Sequence, residues 1–427
     1  MGSNFSWEQG FNNPLVLGKI AACRKIGKDA RISFDAADYH FWLPVLESAV
    51  RASEKVGQLK HRCVEQALND AVLTLKDCDA FLRRCDKAFT QLSSRAKTDF
   101  VMVSSVTYTG LRLFSGMKDG DVRLQWQPSQ KSNFMRGVRQ SRDDLSDVLR
   151  SHKISQASEG LTNVLAHVSA FDAHEAHAVA TDSIDTLRGM LNLFVNSKRG
   201  VNPFSRMSAP HAVNRFRSGP YRTVHNVDGS IATKTFWYEH RWLHETPTVR
   251  FKDGKTKKFN QNLKGWWRKL QDNPLSNHIR SGLLRYCRAL DQHDAEAALL
   301  GMWGALESLT GTQRDKYEVT VSRTALLFLD KETARQIAHH VRLRRNSSIH
   351  AARTLNQEEA DAILIHAETL VSRVLFFCLS EGKRFVDENE LFNFLDLTLS
   401  EAKLRRTIAL SKFSVEYHSR KPIPASE

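Results

Sequence analysis

Cysteine is scarce and dispersed in this chain. Its six cysteines (Cys23, Cys63, Cys78, Cys85, Cys287 and Cys378) include no Cys-x-x-Cys pair. That argues against a zinc ribbon or a disulfide framework and for a reducing compartment. Long apolar runs are missing as well: no stretch of about 18 such residues occurs, so no membrane span is expected. The opening Met1-Gly2-Ser3-Asn4-Phe5-Ser6-Trp7 lacks a basic segment followed by an apolar one. No secretory signal is therefore expected, and a cytoplasmic location is. Carboxylates are absent from one long interval. Between Glu332 and Glu358 there is none, yet Arg335, Arg342, Arg344, Arg345 and Arg353 stand inside it with His339, His340 and His350. Such an interval attracts a polyanion and sets groups that titrate near neutral pH in its field.

What is present begins with length and charge. A chain of 427 residues has room for two or three domains. Its net charge of +15 is concentrated. Between Lys198 and Lys269 sixteen Lys and Arg face four acids, Asp228, Glu239, Glu245 and Asp253. That concentration favours a phosphate-rich partner over a generally basic surface.

In chain order, residues 1–35 read as irregular and a helical pattern starts near Asp35. Val64, Leu68, Ala71, Leu75, Cys78, Leu82, Cys85, Phe89 and Leu92 alternate spacings of four and three. This predicts one helix of about 35 residues, packed in its own domain or forming a dimer seam. Residues 97–127 predict a small strand group turning at Lys118-Asp119-Gly120. Helical patterning resumes from Met135 to Asn196, with His174 and His177 three apart as a weak metal pair. Residues 197–260 read as loops and strands with turns at Asp228-Gly229 and Asp253-Gly254. Gly254-Lys255-Thr256 has the ending of a phosphate-binding loop, but Val249 occupies the place of its first glycine, and the turn explains the match.

In the basic segment, 198–269, cations alternate with rings. Trp237, Tyr238, Trp242, Phe251, Phe259, Trp266 and Trp267 lie among Lys257, Lys258, Arg268, Lys269 and other cations. Two outcomes are open: rings stacking on bases with cations on phosphates, or a ring core beneath a solvated cationic face. From Leu275 onward helices follow with short breaks, at 295–309, 319–329, 331–344 and 357–379, which predicts antiparallel neighbours in a bundle. The tail from Lys412 reads as frayed. The expected fold is therefore α+β and predominantly α-helical. A mixed helix and strand region over 1–270 precedes a helical bundle over 271–400 and a tail over 401–427.

The stretch Arg345-Asn346-Ser347-Ser348-Ile349-His350, together with Trp303-Gly304-Ala305-Leu306-Glu307-Ser308-Leu309 in an earlier helix, carries a resemblance. The bundle over about 275–380 resembles the HEPN superfamily, in particular the Apea-like HEPN group of prokaryotic proteins. That family's signature is an arginine, an adjacent polar residue and a histidine four to six positions on, opening the last long helix. The spacing Arg-x4-His occurs four times here (Arg206/His211, Arg288/His293, Arg335/His340, Arg345/His350). Only Arg345/His350 has Asn next to it between helical patterns. Glu307 matches a recurrent acidic position of such domains, and the resemblance makes it a catalytic candidate beside Arg345, Asn346 and His350.

The resemblance implies a metal-independent endoribonuclease, needing no cofactor, of the phage-defence or toxin type, with its site formed where two protomers meet. The residues suit that chemistry independently, because RNA carries its own 2′-OH nucleophile. His350 serves as base or acid, Arg345 stabilises charge on phosphorus, and Asn346 orients. Arg342 and Arg344 join the lysines of the basic segment as RNA contacts. Five residues of helix rotate by about 140°. So either a helix begins between Arg345 and His350, or each acts with a partner's copy. The implied partners are RNA (tRNA, or phage and host transcripts), a second copy of the chain, and a regulatory or antitoxin protein. Two rival expectations stand beside it: a non-catalytic nucleic-acid sensor on a HEPN dimer scaffold, and the toxin of a toxin–antitoxin pair.

Overall fold

The computed structural model describes residues 3–143, 150–151, 161–196, 214–239, 249–251, 256–313, 317–350, 357–397 and 400–419, apart from positions 30, 54, 71, 74, 76 and 112. The chain is α+β and mostly helical, as its patterning predicts. The first residues are not irregular. They form β1 (Phe5–Trp7), α1 (Asn13–Cys23), β2 (Arg24–Ile26), β3 (Ile32–Phe34), α2 (Ala36–Ala49) and β4 (Val50–Ala52). Asn12 starts α1 by accepting the Leu15 N–H, with Pro14 in the first turn where a missing donor costs nothing.

The expected 35-residue helix is two helices, α3 (Lys60–Leu68) and α4 (Cys78–Ser93), packed against each other. The break is local chemistry. The Asp70 carboxylate accepts the Val72 N–H, and Asp77 caps the new helix by accepting the N–H groups of Asp79 and Ala80 at 3.0 and 2.9 Å. Val64, Leu68, Leu75, Cys85 and Leu92 still share one side because both helices bury them in the same core, with Phe5, Leu17, Leu46 and Phe81. Most of the stripe packs inside this unit, with Cys78, Leu82 and Phe89 half-buried at its edge.

A six-stranded antiparallel sheet follows, in the order β11 (Trp237–Tyr238), β10 (Tyr221–Asn226), β5 (Thr98–Val106), β9 (Thr162–Ala170), β8 (Val122–Trp126), β7 (Met117–Asp119). The predicted turn after Lys118 joins β7 to β8, with Gly120 at φ +58°. The predicted Asp228-Gly229 turn follows β10, with Gly229 at φ +93°. Strand β9 is a correction. Its Thr-Asn-Val-Leu-Ala-His-Val-Ser-Ala lies inside the stretch read as helical, yet it pairs along its full length with β5. The strand does alternate, with Val164, Ala166, Val168 and Ala170 buried and Asn163, His167 and Ser169 less so, but the buried Leu165 interrupts the pattern and the segment is rich in alanine and short.

One sheet face packs under α5 (Asn133–Asp143) through Val101, Val103, Leu165, Met135 and Val138. The other packs on α6 (Ala173–Asn196). A two-residue strand β6 (Tyr108–Thr109) pairs in parallel with β12 (Val249–Arg250) beside it.

The second half is α7 (Thr256–Gln271), α8 (Ser276–Leu290), α9 (Ala295–Thr310), α10 (Tyr317–Leu326), α11 (Lys331–His350), α12 (Gln357–Glu381), α13 (Glu388–Leu395) and α14 (Glu401–Ser419). Asp294 caps α9 at its start, and Gly311 ends it in the left-handed region at φ +67°. Helix α12 contacts α8, α9 and α11 and forms the centre of the bundle. Among the described residues, Ala362–Arg384 is the one helical stretch long and apolar enough to cross a membrane. Its Ile363, Leu370, Val374 and Cys378 are buried in the core.

Core continuity does not respect residue 270. Helix α6 is buried on both sides, because α8 covers the side the sheet does not. Gly189 makes that approach possible, since a Cβ there would meet the Leu283 carbonyl oxygen at 2.6 Å. Asn196 lies on the same side of α6 and donates to the Tyr286 hydroxyl of α8 at 3.1 Å. Sheet and bundle share one core from Phe100 to Leu395, and the separate core is that of residues 5–92. The tail differs too: α14 continues past Lys412 to Ser419 and is exposed along almost its whole length.

Candidate functional site

Helix α11 runs unbroken through Arg345 to His350, so the motif closes one helix instead of opening the next. Of the two alternatives open from the sequence, a helix start between the two residues is thereby ruled out. Their backbone positions lie about 140° apart around one continuous helix. The side chains of residues 347–350 fall outside the described set.

Arg345 is held by neutral groups. Its Nη1 donates to the Tyr317 hydroxyl at 2.8 Å and to Asn346 Oδ1 at 3.1 Å. The guanidinium lies 4.9 Å from the centre of the Tyr317 ring. Its Nε is buried and has no hydrogen-bond partner. Tyr317, the first residue of α10, meets the buried Trp303 ring edge-on at 6.2 Å. The Trp303 Nε1–H in turn donates to Glu307 Oε1 at 2.6 Å. Glu307, Arg345 and Asn346, distant in sequence, thus join one neighbourhood through two aromatic rings. Glu307 engages the indole, not an arginine. Tyr317 was missed by sequence reading, and no periodicity or motif marks it: it lies 28 positions from the arginine it holds.

The carboxylate-free interval is compensated by neighbouring helices. Arg342 pairs with Glu318 of α10, and Arg344 lies 3.7 Å from Glu359 of α12. Glu318 sits below the usual carboxylate range because its own backbone N–H favours the charged form, opposed next by desolvation and then aided by Arg342 and His339. Exposed pairs of this kind contribute at most about 1 kcal/mol, so a phosphate can displace them. The Nε atoms of Arg335 and Arg342 are also buried without partners, so three arginines on one side of α11 share that condition. Across the α11–α12 interface the His340 and His366 rings are 5.5 Å apart. His340 is lowered from the ordinary histidine value by burial first, then by His366 and Arg344.

The basic segment resolves differently. In α7, Phe259, Leu263, Trp267 and Leu270 are buried while Lys257, Lys258, Arg268 and Lys269 are exposed. Trp267 donates to the Lys118 carbonyl at 2.8 Å, and Trp266 packs on Phe194 and Phe376. Phe251 packs on Phe216 and Phe259. The rings are core here, so base stacking by Phe251, Phe259, Trp266 and Trp267 is corrected, and the cations form the solvent face of an amphipathic helix. The packed Trp266 places α7 against α12 at Phe376, about 25 Å along that helix from Glu359. Residues 197–213, 240–248 and 252–255 lie outside the described set, and with them Trp242 and the Asp253-Gly254 turn.

His177 is not paired with His174 in a ligand geometry. It stacks on Trp237 at 3.8 Å and 6°, and burial, then Arg222 and His174, push it down to about 3. Among the described residues one trio of metal-type ligands converges, Asp185, Cys287 and Asp291. The Arg188 guanidinium already occupies it, donating to Asp185 at 2.7 Å and to Asp291 at 2.5 and 3.0 Å. Comparison of the chain with protein-family models, with curated proteins and with solved structures found no match in any of the three.

Proposed function

We propose that this protein is an endoribonuclease of the HEPN type, acting in the cytoplasm as a homodimer with a composite site. The observation that carries the reading is Arg345: a guanidinium fixed by a ring, a hydroxyl and an amide, and neutralised by none of them. Such a cation keeps its full charge for a phosphoryl group. RNA supplies the nucleophile. His350 takes the 2′-OH proton or delivers one to the departing 5′-oxygen. Arg345 stabilises the charge developing on the non-bridging oxygens. Arg342 and Arg344 exchange their carboxylates for flanking phosphates. Glu307 acts at a distance, holding Trp303 against Tyr317. The angular separation of Arg345 and His350 on one helix supports a second copy completing each site.

The products would be 2′,3′-cyclic phosphate ends, made on tRNA or on phage and host transcripts during defence, with a regulatory or antitoxin protein holding the activity in check. The test is cleavage of a labelled RNA panel in EDTA by wild type, His350→Ala and Arg345→Ala, followed by analysis of the ends. Cleavage by wild type alone, leaving cyclic phosphates, is expected. Wild-type-level cleavage by His350→Ala removes the central residue from the mechanism.

One observation favours a second reading. The exposed cations of α7 lie far along α12 from Arg345, as a separate face for nucleic acid. If wild type binds RNA in a salt-dependent way without cutting it, and Lys257→Glu/Lys258→Glu abolishes that binding, the chain is a binding module on a helical scaffold.

A further inference from the structure

Away from α11, a pocket of about 210 Å³ opens where the sheet edge meets the end of α8. The loop Arg217–Pro220, Tyr221 and Arg222 of β10, Trp237 and Tyr238 of β11, and Asp291 and His293 beyond α8 line it. Its floor is rigid. Arg188, which is wholly buried, ties Asp291 and Asp185 to the Phe216 carbonyl, and Asn214 donates to both Asp291 and the Leu290 carbonyl. The Arg217 backbone is fixed by the Thr107 hydroxyl at 2.8 Å. The Gly219 N–H donates to the Ser105 carbonyl at 2.7 Å.

Two guanidiniums, of Arg217 and Arg222, and two carboxylates, of Glu239 and Asp291, line this pocket. Arg188 already holds Asp185 and Asp291. Arg222 lines the pocket and donates to the Ser218 hydroxyl at 2.8 Å. Among the described residues it has no carboxylate partner. Arg142, stacked on the Tyr221 ring at 4.6 Å, is bonded to the Thr223 hydroxyl and the Val103 carbonyl. Directly beside Arg222 on the neighbouring strand, the Trp237 indole is held flat by its stack on His177, whose imidazole burial keeps uncharged. An arginine fork beside a hydroxyl recognises the oxygens of a phosphate, and a fixed indole offers a surface to a planar organic group.

We propose that this pocket binds a phosphate monoester with a planar organic part, of the nucleoside monophosphate class, with Arg222 and Ser218 on the phosphate and Trp237 beside the organic part. The site is independent of the ribonuclease reading, since none of its residues belongs to the Arg345 neighbourhood.

The experiment is calorimetric titration of the full chain with AMP, adenosine and inorganic phosphate. The variants are Arg222→Gln, Trp237→Leu and, as a control on the solvent face of α7, Lys257→Glu/Lys258→Glu. Saturable binding of AMP is expected, at least about ten-fold tighter than that of phosphate or adenosine. Arg222→Gln should weaken AMP binding by about ten-fold or more, Trp237→Leu should weaken AMP and leave phosphate unchanged, and the α7 control should bind as wild type. Three results overturn the proposal: no saturable AMP binding, equal affinity for AMP and phosphate, or loss of binding in the α7 control with retention in Arg222→Gln. Trp237→Leu keeps the proposal testable should Arg222→Gln fail to fold.

Discussion

Arg188 and Arg345 are both helix residues anchored by several neighbours, and their surroundings divide the molecule into two kinds of site. Arg188 joins sheet and bundle with no exposed surface, and two carboxylates and a carbonyl absorb its charge. Arg345 closes α11 against a ring, a hydroxyl and an amide, with its Nε left over. A buried charge that folding neutralises serves architecture. One that folding only positions keeps its field for a ligand. The comparison also separates motif from role: three Arg-x4-His pairs besides Arg345/His350 share the spacing, and spacing carries no information about which cation is neutralised.

Removing the committed charge should have the largest effect. Arg188→Met leaves the buried Asp185 with only the longer 3.8 Å contact to Arg288 and takes from Asp291 its hydrogen-bonded cation, and should cost about 3–5 kcal/mol in urea unfolding; a loss under about 1 kcal/mol would erase the contrast. Arg345→Ala should do the reverse, lowering RNA cleavage by about 10²–10³-fold while unfolding stability moves by about 1 kcal/mol or less.

The sheet adds a pH test. His225 is fully buried between the Gly229 carbonyl and the Thr223 hydroxyl, and burial, then Arg142, push it down to about 4. Its folded value lies below its unfolded one, so its contribution is complete above about pH 6.5 and is lost as pH falls towards about 4. Near about pH 5 the loss should be about 2 kcal/mol, read from urea midpoints and missing in His225→Gln.

Tyr317→Phe removes one hydrogen bond from Arg345 and keeps the ring, so about 0.5–1.5 kcal/mol of stability is expected to go, with a smaller drop in cleavage than in Arg345→Ala. The smallest change is expected from Lys257→Glu/Lys258→Glu: within about 0.5 kcal/mol in unfolding, because both lysines are solvated. A shift in RNA affinity at low salt alone would mark α7 as an auxiliary contact.

Local chemistry by itself determined a good deal. The order of the bundle helices follows from apolar spacing and caps such as Asp294 and Gly311, and the turns at Gly120 and Gly229 follow from glycine's access to positive φ. The α-helical predominance and the candidate stretch at Arg345 were legible for the same reason. Tertiary structure decided the rest, because the deciding interactions span long separations. Strand β9 exists because β5 and β8 flank it, against its helical-looking context. The stripe from Val64 to Leu92 is split because Asp70 and Asp77 take backbone N–H groups before the helix can continue. The rings of α7 are core because Phe194 and Phe376 receive them. Among the described residues Arg345 has no carboxylate partner and is held by Tyr317, a neighbour that no spacing rule could name, while Arg342 and Arg344 received carboxylates from α10 and α12 that their own interval lacks. Composition sets how much charge a chain carries, and only the fold sets which charges cancel.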